Sequence, residues 1–223
     1  MNTSLKKDKI TILTFAGMAL MIVFIVFKTV TQSQIAGAAL LITGIAFFFI
    51  VEGVSKTPDS ESGLSFKRFI TDLKKPGVII LILIMIVLTP SEMFLSKVFF
   101  GNAYIEHVMG RVNVPDLSQF LLLLITQILT VVGEEIGFRA FFVGKGMKHF
   151  PFWPVAIVSA ILFAAAHFAS GEPAIVAWDL GGIFIDAVLY AVLFRKSGNC
   201  LITAIPHFLN NMIGFILVAL FFK

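Results

Sequence analysis

Residues 117–146 read LSQFLLLLITQILTVVGEEIGFRAFFVGKG, a mostly apolar run interrupted by Glu134, Glu135 and Arg139. About 20 predominantly apolar residues are enough to cross the hydrocarbon core of a bilayer as an α-helix. The apolar residues follow one another without the alternation that is typical of a barrel strand. The run therefore predicts a transmembrane helix that carries ionisable side chains within the bilayer.

The composition of the whole chain indicates the same class of protein. Of its 223 residues, 58% are hydrophobic and only 13% are charged. A soluble domain has about 25% charged residues, so the surplus apolar surface must face a lipid bilayer. The net charge of +4 comes from basic residues that flank apolar runs, which argues against a nucleic-acid partner. A chain of this length is expected to form one membrane domain over residues 1–223.

The remaining apolar runs extend the prediction to an all-α fold, a polytopic transmembrane bundle of about seven helices. The spans are predicted at Ile10–Phe27, Ile35–Val54, Val78–Thr89, Leu117–Gly146, Pro154–Phe168, Ile175–Leu193 and Cys200–Phe222. The loop after the second span becomes amphipathic from Ser65 to Lys75. We expect this segment to lie along the inner membrane interface as a surface helix.

Lysines and arginines set the expected orientation, because cytoplasmic loops are enriched in them. With the N-terminus inside, the inner segments hold 13 of these residues and the outer segments hold 4. The basic N-terminus resembles a secretion signal, but no small-residue cleavage site follows it, so a retained first helix is expected. The prediction is a multi-pass cell-membrane protein with a cytoplasmic N-terminus and an external C-terminus.

Glu134, Glu135 and Arg139 form the first of three polar clusters, and each charge inside the bilayer costs about 2.5 to 3.5 kcal/mol on insertion. On a helix, Glu135 and Arg139 lie four residues apart on one face and can pair. Glu134 lies about 100° further round the helix and lacks that partner, which suits a general base. The alternative is that both acids bind one arginine in a packing network. We prefer that alternative for Glu135 and chemistry for Glu134.

The other two clusters lie on later spans. Phe163 and His167 share a face of the fifth span, and the alanines between them allow a neighbouring helix to approach closely. His207 and Asn211 lie one turn apart on the seventh span. These side chains equally suit hydrogen bonds between helices without any chemistry. Counting 1.5 Å per residue from the predicted inner ends places them and Glu134 about 10 to 20 Å deep, where they could meet in one cavity open to the cytoplasm.

Other catalytic designs fit the sequence less well. The chain has no G-x-S-x-G nucleophile motif and no H-E-x-x-H zinc motif. Gly181 and Gly182 precede Asp186 but do not form the Gly-x-Gly-Asp of aspartyl intramembrane proteases. Cys200, the single cysteine, has no neighbour that would obviously activate it and is expected to be an inert buried thiol.

In order along the chain, the three clusters read E-E-x-x-x-R, F-x-x-x-H and H-x-x-x-N, and the segment SGNCLITAIPH leads into the last. This ordered set resembles the CPBP family, the CAAX-protease and bacteriocin-processing intramembrane peptidases also called the Abi family. The resemblance covers residues 117–214, which hold the predicted catalytic core. One departure is Asp186, where family members often have a small residue. We expect the side chain of Asp186 either to pair on the helix face that carries Asp179 or to line the cavity.

The resemblance implies an intramembrane endopeptidase in which Glu134 and His167 hold and activate the attacking water. It implies that His207 and Asn211 stabilise the oxyanion. The supporting residues are Glu135, Arg139 and Phe163. The family is described as metallopeptidases, although a metal-independent glutamate mechanism is also argued for it. The sequence leaves both open, because Glu134, His167 and His207 would also form a two-histidine, one-carboxylate site for zinc or another divalent metal.

The expected substrate is a peptide or a membrane protein, lipidated or not, that reaches the inner half of the bilayer. The first alternative is a non-proteolytic membrane protein, such as a bacteriocin self-immunity factor or a partner-binding protein, which would need no catalytic carboxylate. The second is a proton-coupled transporter with the acids and histidines as relay groups. The chain shows no inverted repeat or paired broken helices, which makes a transporter the weaker alternative.

Overall fold

The computed structural model describes residues 3–58, 61–111 and 120–221, and within these ranges the chain is helical, with short turns and without strands. The helices are α1 Thr3–Thr31, α2 Gln34–Ser55, α3 Phe69–Leu73, α4 Val78–Phe100, α5 Ala103–Arg111, α6 Phe120–Glu134, α7 Gly144–Gly146, α8 Phe152–Ala166, α9 Pro173–Ser197 and α10 Cys200–Phe221. A π-helical stretch, Glu135–Val143, joins α6 to α7. The predicted all-α bundle is confirmed.

Six helices of the described chain are long and apolar enough to cross a membrane, and the fifth predicted span is the shorter helix α8. At 1.5 Å per residue, α8 is only about 22 Å long. The predicted third span ended too early at Thr89, because α4 continues through Pro90 to Phe100. Membrane helices tolerate proline where neighbouring groups satisfy the freed backbone. The orientation of the termini and the single domain stay predictions.

The core lies where α1 and α2 pack against the π-helical stretch and α8. Phe48 of α2, Phe141 of the π-helical stretch and Ala156 of α8 are almost completely buried in one cluster. Gly44 and Gly137 allow the closest approach, since a Cβ added at Gly44 would lie 2.8 Å from the Cα of Gly137. This close contact of small residues fixes the π-helical stretch, and the acids beside it, against α2.

The predicted interfacial segment is attached to the turn between α9 and α10. Its helix, α3, is shorter than the predicted Ser65–Lys75, and Gly77 with φ 75° precedes the start of α4. Asn199 in the turn donates through Nδ2 to Ser65 O at 2.7 Å and to Asp72 Oδ2 at 3.1 Å. Asp72 is fully buried and also binds Arg68 and Lys75, both at 2.8 Å. These contacts hold the segment against the N-terminal end of α10.

The carboxylate of Asp72 is expected to stabilise this attachment in a pH-dependent way. Burial alone would raise the pKa of Asp72, but hydrogen bonds from Lys75, Asn199 and Arg68 hold this pKa below its ordinary value of 3.8. Asp72→Asn should therefore lower the free energy of unfolding by about 1.5 to 3 kcal/mol at neutral pH. The difference is present in full above the ordinary pKa and disappears as the pH falls through the lowered pKa of Asp72.

Thermal unfolding of the purified protein in detergent, followed from neutral to acidic pH, measures this effect. Asp8→Asn, at an exposed aspartate of α1, is the matched control and should unfold with the parent. Equal melting temperatures of Asp72→Asn and the parent at neutral pH would contradict the assigned role.

Candidate active site

Glu134 and Glu135 lie where an α-helix changes into a π-helix. Glu134 is the last residue of α6 and keeps α-helical angles, φ −63° and ψ −42°, and Glu135 is the first residue of the π-helical stretch. The wider turn of a π-helix changes the direction in which successive side chains project, and such turns are frequent at functional sites. The two neighbouring carboxylates thereby meet two different sides of one imidazole.

Glu135 is the centre of a buried polar network. Its Oε1 accepts a hydrogen bond from Nδ1 of His207 at 2.8 Å, and its Oε2 accepts one from the Thr203 hydroxyl at 2.5 Å. Arg139 Nε lies 3.3 Å from the same Oε2, so the ion pair predicted at spacing i, i+4 is present. Glu135 and Arg139 are both almost completely buried. This carboxylate is fully engaged in joining the π-helical stretch to α10.

His207 lies between the two glutamates. A carboxylate accepts hydrogen bonds, so the contact with Glu135 makes Nδ1 of His207 the protonated nitrogen. The other ring nitrogen, Nε2, lies 3.5 Å from Oε2 of Glu134. Tyr190 of α9 stacks on the imidazole with the ring centroids 4.9 Å apart and the planes at 21°. The ring is therefore held with Nε2 directed toward Glu134, whose side chain is 21% exposed.

His167 is the first residue after α8, so it lies at a helix end rather than inside the predicted span. Its Nδ1 donates to the carbonyl oxygen of Phe163 at 2.8 Å, because a carbonyl can only accept. Phe163 connects the two histidines, since its ring centroid lies 4.6 Å from that of His167 and 5.9 Å from that of His207. Lys28 of α1 donates through Nζ to the carbonyl of Ala166, beside His167.

Arg139 packs between two aromatic rings. Its guanidinium carbon lies 4.4 Å from the ring centroid of Phe163 and 5.0 Å from that of Tyr190. Such cation–π contacts stabilise a charge that is removed from water. Among the described residues, Nη1 and Nη2 of Arg139 have no hydrogen-bond partner. The arginine therefore contacts the candidate site through Glu135 and these rings, and its supporting role stays a prediction.

Asn211 lies one turn beyond His207 and points toward α6. Its amide nitrogen donates to Oε1 of Gln127 at 3.0 Å, and the side chain is half-buried. The neighbouring Asn210 is buried and donates to the Tyr190 hydroxyl at 3.4 Å. The structure thus brings His207, the two glutamates, Arg139, Phe163 and His167 into one group, with Asn211 at its α6 side.

The part of the chain that holds this group of residues resembles a known protein family. Residues 116–213 match the family model of the Rce1-like type II CAAX prenyl endopeptidases. The match confirms the resemblance predicted from the three motifs, and it spans all four predicted catalytic residues. No curated protein and no solved structure matches the chain. The apolar helices indicate a multi-pass membrane protein, and residues 116–213 resemble a family of proteases.

The two aspartates of α9 have different surroundings. Asp179 is buried, and its Oδ2 lies 3.6 Å from Nε2 of His107 in α5. Asp186 is half-buried, and the charges of His207 and Arg139 act on its carboxylate. Asp186 thus lies near the candidate active site, and its expected lining of the cavity stays a prediction.

Sequence reasoning missed four polar residues of the Rce1-like region that complete the site. They are Thr203, Tyr190, Asn210 and Gln127. Thr203 precedes His207 by one helical turn, which is a signal that the sequence does contain. Asn210 lies three residues after His207 on the same helix, which the sequence also contains. Tyr190 and Gln127 contact the site from other helices, so no spacing along the chain indicates them.

The site for zinc or another divalent metal expected at Glu134, His167 and His207 stays a prediction. No group of three or more His, Cys, Asp or Glu side chains within the described ranges is arranged to hold a metal ion. Nδ1 of His207 is bound to Glu135, and Nδ1 of His167 is bound to the Phe163 carbonyl. A set of Glu134, His167 and His207 would require these side chains to move together around an ion. The reaction that we propose uses the protein's own side chains.

Proposed function

We propose that this protein is an intramembrane endopeptidase in which Glu134 acts as the general base on an attacking water. The observation that carries the proposal is the arrangement of two adjacent carboxylates on one histidine. Glu135 binds Nδ1 of His207 at 2.8 Å, and Glu134 faces Nε2 of the same ring at 3.5 Å. One acid is used to position the imidazole, and the other is left beside the ring for chemistry.

The proposed reaction begins with a water held by Glu134 and His167. Glu134 takes a proton as the water oxygen attacks the peptide carbonyl, and negative charge develops on the carbonyl oxygen. Nε2 of His207 can donate to that oxygen only in the imidazolium form, because Nδ1–H already donates to Glu135. The two carboxylates compensate the charge of that form. The proton on Glu134 then passes to the leaving amine, and the carbon–nitrogen bond breaks.

The substrate proposal is a peptide or membrane protein whose apolar part enters from the bilayer. A cavity of about 580 Å³ is lined by apolar side chains of the interfacial segment, α6 and α10. Val131 in its wall precedes Glu135 by one turn, and Phe208 follows His207 directly. Phe66 and Phe69 of the segment held by Asn199 also line the cavity. Such a lining accepts an apolar chain, peptide or lipid, close in sequence to the candidate catalytic residues.

A comparison of membrane peptides tests this function. Membranes from cells that produce the parent protein or Glu134→Ala are analysed by mass spectrometry for peptides that end at new cleavage sites. We expect products that depend on Glu134 and persist in Glu106→Ala, which removes an exposed glutamate of α5. An identical set of products in the parent and in Glu134→Ala would overturn the proposal. Full bacteriocin immunity with Glu134→Ala would instead favour the non-proteolytic alternative.

Asn211→Ala should slow cleavage about 100 to 1,000-fold while the protein remains folded, because one oxyanion donor is removed. The amide of Asn211 has two N–H groups, and Gln127 accepts from its nitrogen at 3.0 Å, which leaves a second N–H to donate. The measurement is the turnover number in liposomes together with the melting temperature. Asn102→Ala, at an exposed turn, should behave like the parent. A turnover number of Asn211→Ala equal to that of the parent would remove Asn211 from the mechanism.

Cleavage is expected to continue after metal ions are removed. The reason is that the proposed mechanism assigns the proton transfers to the carboxylate of Glu134, which lies 3.5 Å from Nε2 of His207. The purified protein is dialysed against EDTA and against 1,10-phenanthroline, its metal content is measured by mass spectrometry, and its turnover number is determined. Activity that is lost on dialysis and restored by zinc would contradict the metal-independent mechanism.

A further inference from the structure

Asp186 is a carboxylate within a membrane-spanning helix that has no assigned task. Other acids of the described spans have partners, since Glu135 binds His207, Glu52 binds Lys145 and Asp179 faces His107. Asp186 makes no hydrogen bond or ion pair with any residue in the described ranges. An ionisable side chain within the bilayer costs about 2.5 to 3.5 kcal/mol, so an acid without a partner calls for a function.

The position of Asp186 connects it to the reacting groups. It lies one turn before Tyr190, whose ring stacks on His207, and the charges of His207 and Arg139 act on its carboxylate. One turn in the other direction is Gly182, where an added Cβ would lie 2.0 Å from Oε1 of Glu92. The face of α9 that carries Asp186 therefore runs from the carboxylate of Glu92 to the candidate catalytic histidine.

The charges around His207 favour a cation as the partner of Asp186. Glu134, Glu135 and Asp186 all lie within electrostatic reach of His207 and of Arg139. Arg139 is already paired with Glu135, whereas the third carboxylate has no counterion of its own. In surroundings of low dielectric constant, an uncompensated negative charge attracts a cation strongly. The side chain of Asp186 is half-buried, so it is not enclosed by the described residues.

We propose that Asp186 is a specificity-determining residue that pairs with a lysine or arginine side chain of the substrate close to the bond that is cleaved. The inference rests on the proposed endopeptidase function and adds a substrate preference to it. The rival role is structural, in which Asp186 only compensates the charge of Arg139. A structural role would affect all substrates alike, whereas pairing with the substrate affects only those that carry the cation.

The test uses the full protein in liposomes and synthetic peptides with an apolar membrane anchor. A degenerate peptide set first identifies a bond whose cleavage is lost in Glu134→Gln. Lysine and its uncharged analogue norleucine are then exchanged at each position on either side of that bond. We expect the parent to prefer lysine at one position by at least about tenfold in kcat/KM, as is typical of a desolvated charge pair.

Asp186→Asn should abolish this preference by raising KM for the lysine peptide, and the norleucine peptide should be cleaved as before. Asp186→Glu should retain the preference, and so should Asp179→Asn, which alters the aspartate of α9 that faces His107. The inference is overturned if the parent has no preference for lysine, or if Asp186→Asn slows both peptides equally. Absence of any cleavage that depends on Glu134 would instead overturn the endopeptidase function, and the inference with it.

Discussion

His207→Ala is expected to lower the turnover number at least about 1,000-fold without unfolding the protein. The substitution removes both the donor to the developing oxyanion and the group that faces Glu134 at 3.5 Å. The fold should survive, because Glu135 keeps its contacts with the Thr203 hydroxyl and with Arg139. The measurement is single-turnover cleavage of a peptide in liposomes, with the melting temperature of the same sample.

The matched control for this substitution is His149→Ala. His149 is exposed beyond α7, lies outside the three motifs and packs on Phe15 with the ring centroids 5.1 Å apart. We expect this control to cleave at the rate of the parent. If His207→Ala retained the parent's rate, an imidazole at the centre of the site would have no catalytic task.

Glu135→Ala is expected to lower stability as well as activity, in contrast to substitutions of its neighbour Glu134. It removes a fully buried carboxylate and leaves the guanidinium of Arg139, which is 1% exposed, without its counterion. Breaking a buried ion pair on one side costs about 3 to 5 kcal/mol, because the remaining charge is buried alone. The free energy of unfolding in mixed detergent micelles measures the loss.

A second substitution in the same pair separates this explanation from simple loss of packing. Arg139→Leu in the Glu135→Ala background removes the uncompensated charge and should recover much of the lost stability, while activity stays low. Glu106→Ala is the exposed control. Equal stability of Glu135→Ala and the parent would show that Glu135 and Arg139 do not depend on each other.

The sequence predicted the fold and one local interaction of the site correctly for physical reasons. Long apolar runs have few structural solutions in a bilayer, so the helices could be placed from composition alone. The pair Glu135–Arg139 is found because spacing i, i+4 on a helix determines which side chains meet. The predicted end of the third span at Thr89, just before Pro90, was wrong, because proline breaks soluble helices far more reliably than membrane helices.

The contacts between helices could not be predicted from the sequence. Glu135 was expected to pair with Arg139, but it also binds His207 and Thr203, which lie on α10. The π-helical stretch that turns Glu134 and Glu135 toward opposite nitrogens of one ring has no signature in the residue pattern. The stacking of Tyr190 on His207 likewise depends on how α9 packs beside α10. Each of these features is set by packing, on which local spacing has no bearing.

The central claim of the proposed mechanism is that Glu134 is the general base beside His207. The decisive measurement is the turnover number of purified Glu134→Gln in liposomes, on a peptide that the parent cleaves, with Glu106→Gln measured alongside. Glutamine keeps the size of the side chain and loses the proton acceptor, so we predict cleavage at least about 1,000-fold slower than the parent at an unchanged melting temperature. Cleavage by Glu134→Gln at the parent's rate would contradict the mechanism.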